Sequence, residues 1–198
     1  MSEVAPAVEV AGVVLTGGAS RRMGRDKALM LVDGVPMAVR VATAMIAAGA
    51  HPVVALGGDA GALSECGLEV VADRWPGEGP LGAIVTAFGW APHDIVVIAA
   101  CDLPWLDANV LRTLVDALEA GEADVAAART DRREPLCAAW RVRRCRDRLA
   151  AAFVGGERAV HVALQELAVA EVDVAVSALH NVNTQADLDA HAPERPAE

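Results

Sequence analysis

The sequence predicts an α/β fold, a mostly parallel sheet with helices on both faces, and three observations carry that prediction. Short apolar runs alternate with stretches of helical periodicity, the pattern of repeated strand-then-helix units. The 54% hydrophobic content is mostly alanine and valine, with two Phe and no Tyr, which suits helices packed on buried strands. Polar and glycine-rich segments follow the apolar runs, at the strand ends beyond which such sheets bind ligands.

Taken in order, residues 1–9 carry no periodic pattern and read as a disordered tail. A first strand is expected over residues 10–15. After a glycine- and arginine-rich loop, residues 28–32 are apolar and Asp33-Gly34 signals a turn. Pro36 suits the first turn of a helix carrying Met37, Val41, Ala44, Met45 and Ala48 on one side, closed by Gly49. Strands follow at 51–56 and 68–72, with a short helical stretch at 60–66 between them. Residues 73–83 form a Gly/Pro-rich loop leading into a helix with Leu81, Ile84, Val85 and Phe88 inward. Residues 94–100 are the most apolar strand. Asp107 then caps a helix whose Val110, Leu111, Leu114, Val115 and Leu118 form one stripe, ended by Gly121.

Beyond residue 122 the alternation loosens. Residues 125–129 and 136–140 read as an antiparallel pair at one side of the sheet, 157–167 as helical and 169–174 as a last strand. His180-Asn181-Val182-Asn183-Thr184 is a polar turn before a short closing helix, and 193–198 is a second disordered tail. No internal repeat or linker divides the chain, and 198 residues bury one core well; residues 10–192 are therefore expected to be a single domain.

A net charge of −10 argues against non-specific binding to nucleic acid or anionic membranes. The longest charge-free run, residues 41–58, is interrupted by Gly49, His51, Pro52, Gly57 and Gly58 and reads as helix, turn and strand rather than a membrane span. No Lys or Arg precedes Arg21, so the basic region of a secretory signal is missing and a cytoplasmic setting is expected. Cys66, Cys101, Cys137 and Cys145 form no C-x-x-C pair; they are expected to be small buried residues.

The chemistry concentrates in Val13-Val14-Leu15-Thr16-Gly17-Gly18-Ala19-Ser20-Arg21-Arg22-Met23-Gly24-Arg25-Asp26-Lys27. Glycines let backbone N–H groups approach an anion, and the cations neutralise it. Neither familiar phosphate loop fits: Gly24 is separated from Lys27 by Arg25 and Asp26, which excludes G-x-x-x-x-G-K-[ST], and adjacent Gly17 and Gly18 exclude G-x-G-x-x-G. Polyphosphate binding by Arg22, Lys27 and the glycines is the reading preferred over a plain strand-to-helix turn.

Asp102, directly after the 94–100 strand, is placed to hold a hard cation against phosphate oxygens, and magnesium needs only one or two carboxylates; the alternative is a turn cap before Pro104. Asp73 has the same placement and the same ambiguity. Asn181 and Asn183 either donate to an acceptor substrate or stabilise their turn. Five arginines lie between Arg141 and Arg148; with 141, 144 and 148 at helical spacing, a solvated helix face is preferred over an anion or partner site.

Together Leu15-Thr16-Gly17-Gly18-x-Ser20-x-Arg22-Met23-Gly24-x-Asp26-Lys27, Asp73-x-x-Pro76-Gly77-x-Gly79-Pro80-Leu81, Cys101-Asp102-Leu103-Pro104, Gly156-Glu157-Arg158 and Asn181-Val182-Asn183-Thr184 resemble the molybdenum cofactor guanylyltransferases. The resemblance implies a Rossmann-like three-layer sandwich of the nucleotide-diphospho-sugar transferase kind. It implies transfer of GMP from GTP to the phosphate of molybdopterin with release of pyrophosphate, dependent on Mg2+. It implies that the first loop and Lys27 hold GTP, that Asp73 contacts the nucleotide and that Asp102 binds the metal. Joined to the reading of the residues, this gives a GTP site of Leu15, Thr16, Gly17, Gly18, Lys27, Asp73 and Asp102, catalysis by Lys27, Arg22 and Asp102, and Asn181 and Asn183 as the expected acceptor residues. Molybdoenzymes or cofactor-delivery proteins follow as further partners. Thr16 stands where that family usually has alanine, Gln185 where it has proline, and an asparagine for the base is missing around Ala55 and Leu56. Gly17-Gly18, Asp26 and Cys101 favour guanylyl over the sibling cytidylyl transfer. The rival readings are another small-molecule nucleotidyltransferase and a non-catalytic nucleotide carrier.

Overall fold

A computed structural model describes residues 8–17, 26–184 and 187–188. Gly18 and Arg22, both expected in the site, and the two expected tails beyond residues 8–9 lie outside these residues.

The sheet has seven strands: β1 (Val10–Leu15), β4 (Val53–Leu56), β5 (Glu69–Val71), β6 (Ile95–Ala100), β7 (Val125–Arg129), β8 (Arg133–Arg141) and β9 (Val169–Asp173). Their order is β5-β4-β1-β6-β8-β7-β9. β8 is antiparallel to both β6 and β7, and the other strand pairings are parallel. A two-stranded hairpin, β2 (Leu31–Val32) with β3 (Val35–Pro36), stands apart. Its turn is Asp33-Gly34, both at positive φ, the conformation that a two-residue hairpin loop demands.

Alternation along the strands divides the core in two. Val13, Leu15, Val54, Leu56, Val96, Ile98, Ala138 and Trp140 face α3 (Pro80–Trp90), α5 (Val142–Val154) and α6 (Val160–Ala163). Val14, Ala55, Val97, Ala99, Cys137 and Ala139 face α1 (Met37–Ala47), α2 (Ala60–Glu65) and α4 (Ala108–Glu119). A period of two on strands buried on both sides gives three layers. Leu111, Leu114 and Leu118 of α4 are fully buried, and each stabilises the layer by roughly 1.5–3 kcal/mol.

The Asp107 carboxylate accepts from the Asn109 and Val110 N–H groups, as its position before α4 predicts. Pro36 is the residue preceding α1 rather than its first turn. β8 begins at Arg133, three residues earlier than expected, and the β7–β8 pair does not end the sheet: β9 pairs parallel to β7 outside it. The expected helix over 157–167 is shortened to α6 and a 3-10 turn at Leu164–Glu166, because the Glu157 carboxylate bonds the Arg158 and Ala159 N–H groups and caps a turn instead. One cysteine expectation is corrected: Cys66, the residue closing α2, is exposed, while Cys101, Cys137 and Cys145 are buried.

Candidate functional site

Six of the seven strands, all but β8, point their carboxyl ends at one rim of the sheet, and the described residues predicted for the site collect along the part built by β1, β4, β5 and β6. At its centre the Lys27 ammonium lies 2.7 Å from Asp102 Oδ2. The same nitrogen is 2.7 Å from Asn183 Oδ1 and 3.5 Å from Asn181 Oδ1. Residues 75 to 156 positions apart thus converge on one cation. Each is delivered by a different element: Lys27 by a 3-10 turn (Lys27–Leu29), Asp102 by the loop after β6, and the asparagines by the segment following the 3-10 turn at Val176–Leu179.

That last segment is fastened to the sheet. Val182 is fully buried and its N–H donates to the Asp102 carbonyl at 2.9 Å. The Asp187 carboxylate accepts from the Asn183 and Thr184 N–H groups at 2.7 and 2.8 Å, and those two bonds hold it below the ordinary carboxylate range. A ring contact between Trp105 and His180, 5.5 Å between centroids, joins the loop after β6 to the residue preceding Asn181.

Asp102 Oδ1 is buried and has no hydrogen-bond partner among the described residues. A buried carboxylate oxygen left unbonded is costly, and a hard cation is one partner that would satisfy it. Next to it burial and the Asp102 charge push the Cys101 thiol up to about 12. That thiol is protonated at neutral pH and no nucleophile.

The other half of the rim joins β1, β4 and β5. The Thr16 hydroxyl lies 3.0 Å from the Leu56 and Gly57 carbonyl oxygens, and the Gly17 N–H donates to the Leu56 carbonyl at 3.2 Å. Gly57 must be glycine: its φ is +80°, and a Cβ would meet the Gly17 backbone at 3.1 Å. Asp73 closes this corner. Its Oδ1 accepts from the Trp75 N–H at 3.0 Å and the Thr86 hydroxyl at 3.1 Å, and its Oδ2 faces Gly17, 3.9 Å from where a Cβ there would sit. Asp73 thus serves its own turn with one oxygen and presents the other to the start of the loop.

Two supports escaped the sequence reading, and each had a signal. Thr86 is a buried polar residue on an otherwise apolar helix, and its hydroxyl orients Asp73. Arg40, the only charged residue of α1, donates to the Pro104 and Val32 carbonyls at 3.0 and 3.3 Å, bracing the loop after β6 against the hairpin. The arginines at 141–148 are not in the site. They lie at the amino end of the sheet around Asp124 and Asp94.

The sheet order is that of the α/β nucleotidyltransferase fold, one of the open sheets whose ligands bind beyond the carboxyl ends of the strands. The chain belongs to the MobA-like NTP transferase family, whose profile spans residues 12–179. It is 32% identical over 200 residues to a molybdenum cofactor guanylyltransferase of Burkholderia ambifaria, covering 94% of this chain and 97% of that protein. It is 33% identical over 202 residues to a probable molybdenum cofactor guanylyltransferase of Mycobacterium tuberculosis, covering 99% of each. Among solved structures, the molybdopterin-guanine dinucleotide biosynthesis protein A of Archaeoglobus fulgidus superposes with a TM-score of 0.74 at 25% identity, over 91% of this chain and 95% of that one. A CMP:2-keto-3-deoxy-manno-octonic acid synthetase complexed with CTP shares the fold at a TM-score of 0.72 and 16% identity, over 92% and 96% of the two chains.

Proposed function

We propose that this protein transfers GMP from GTP to the terminal phosphate of molybdopterin, releasing pyrophosphate and forming a guanine dinucleotide cofactor. The observation that supports this most directly is the single polar cluster in which Lys27 meets Asp102, Asn181 and Asn183. Its lysine ends the glycine-rich loop suited to a triphosphate, its carboxylate follows a buried strand, and its asparagines carry amides able to donate to an acceptor phosphate.

In this reading the acceptor phosphate oxygen attacks the α-phosphorus in line with the departing pyrophosphate. The new P–O bond forms as the α–β bridging bond breaks, and no covalent enzyme intermediate is required. Lys27 neutralises charge on the β- and γ-phosphates, and the Gly17 end of the loop brings backbone close to the nucleotide. Asn181 and Asn183 orient the acceptor through their amides, converting an encounter into a positioned attack.

The residues also fit a magnesium ion. Asp102 offers a hard oxygen whose partner is missing among the described residues, and a group of three or more metal-ligating side chains, absent among those residues, is not something magnesium needs beside phosphates. Bound there, magnesium would supply Lewis-acid neutralisation of phosphate charge.

The test is pyrophosphate release with molybdopterin, comparing GTP with CTP. GTP-dependent release that vanishes without the acceptor is the expected result. Preference for CTP would move the protein to the sibling reaction. GTP binding without any pyrophosphate, and unaffected by Asp102→Ala, would instead make it a carrier.

A further inference from the structure

We propose that Asp26 is the positioning residue for Lys27, acting by mooring the lysine-bearing turn to the turn between β4 and α2; this rests on the transferase reading given above. A carboxylate has two acceptor oxygens, and here each is used by a different element. Oδ1 accepts from the Ala28 N–H at 3.0 Å, capping the 3-10 turn that begins at Lys27. Oδ2 accepts from the Asp59 N–H, also at 3.0 Å and 33 residues away. A three-residue 3-10 turn has little stability of its own; besides its short Leu29-to-Asp26 and Met30-to-Lys27 backbone bonds it is held by the buried Ala28, the half-buried Leu29 and the Met37 N–H on the Met30 carbonyl. The bond to Asp59 fastens it laterally.

The anchor point is itself fixed. The Asp59 side chain caps α2 through the Ala62 N–H at 3.1 Å. Gly58 has φ +74° and no room for a Cβ, which would lie 2.9 Å from Leu63 and 3.0 Å from the Thr16 hydroxyl. Thr16 holds the same turn from the β1 side through the Leu56 and Gly57 carbonyls. Both described ends of the 16–27 segment are therefore bonded to residues 56–59. The consequence falls on Lys27: its flexible side chain reaches Asp102 and Asn183 from a backbone that Asp26 holds in place. Displacing a reacting group by about 1 Å costs on the order of a hundredfold.

The test combines kinetics with amide exchange. Asp26→Ala is expected to lower kcat roughly ten- to hundredfold. Asp26→Asn keeps one acceptor oxygen, so one of the two N–H partners, and should fall between that and the unsubstituted protein. In a Lys27→Ala background Asp26→Ala should change kcat less than about twofold, because a residue acting through Lys27 has nothing left to position. By NMR, the Ala28 and Asp59 amides should exchange roughly tenfold faster in Asp26→Ala while β1 and β6 amides are unchanged. Equal kcat losses with and without Lys27, or Ala28 and Asp59 amides already unprotected in the unsubstituted protein, would overturn the proposal. If the unsubstituted protein releases no pyrophosphate from GTP, the transferase reading falls, and the exchange comparison alone decides the mooring.

Discussion

Two groups of charged side chains lie at opposite ends of the same sheet, and they differ in what is left over after pairing. At the amino end, Arg141 donates to the Leu118 and Ala123 carbonyls, Arg144 to Glu122, Arg146 to the Phe88 carbonyl and Arg148 to the Glu166 carbonyl. The bond to Arg144 holds the Glu122 carboxylate below its ordinary range. Asp124, buried, accepts from the Ala168 N–H and faces Arg144 and Arg148. At the carboxyl end one lysine is shared by a carboxylate and two asparagines, and a carboxylate oxygen stays buried without a described partner. The denser charge is structural and the sparser charge has valence to spare. Unsatisfied capacity at a strand end, more than charge density, marks a site.

The comparison breaks first at Lys27. Lys27→Ala should cost roughly a hundredfold or more in turnover at saturating GTP, the usual loss of one preorganised electrostatic donor. Near-normal pyrophosphate release by this variant would contradict the site. At the other end, Asp124→Ala should leave GTP kinetics within about twofold while lowering stability by about 2–3 kcal/mol, because the Ala168 N–H loses its side-chain partner and two arginines lose a counter-charge. Urea denaturation measures this; a large rise in KM for GTP with unchanged stability would mean the arginine end binds substrate.

A pH prediction separates the core from both ends. Burial pushes the Cys101, Cys137 and Cys145 thiols up to about 12. The folded state therefore keeps protons that the unfolded chain releases above its ordinary value near 9. Stability from this source is complete below pH 9 and declines as pH rises toward 12. Native protein should accordingly show one rapidly reacting thiol, Cys66, to a disulfide reagent at pH 8; fast reaction of two or more would show that the buried strands open.

Smaller effects should follow at the acceptor arm. Asp187→Ala removes the acceptor for the Asn183 and Thr184 N–H groups and is expected to raise the acceptor KM several-fold with little change in KM for GTP. Its carboxylate is depressed in the folded state, so this tie is present above the ordinary value of 3.8 and is lost only as pH falls below it. Arg143→Gln, on a side chain 83% exposed, should alter neither KM; an effect there would reverse the reading of the arginine end.

Much of the fold was legible because its signals are local. β1 and β7 run over the expected residues, and Asp107 caps α4 as expected. Apolar runs and caps act within a turn or two, so sequence spacing records them. The β2–β3 hairpin was seen only as its turn, because two residues per strand give no alternation to read. The place of β8 between β6 and β7, with β9 beyond, was invisible, since strand order depends on non-local pairing.

The site shows the same division. Asp102 was named from its place after a buried strand, Lys27 from the glycine- and arginine-rich loop, and Asn181 and Asn183 from a polar turn that could equally have served only itself; the four meet. The Asp59 N–H held by Asp26 carried no motif, since a backbone donor has no identity in a sequence, and Thr86 showed only as a lone polar residue on an apolar helix, with nothing to say that its hydroxyl meets Asp73.

The amino-acid sequence by itself determined the layered α/β class, the strand ends that carry chemistry and the kinds of group placed there, because periodicity, caps and glycines act through neighbouring residues. The tertiary structure alone decided which cations are spent and which remain available. That depends on distances between residues far apart in the chain, and only folding brings Asp124 to its arginines and Lys27 to Asp102.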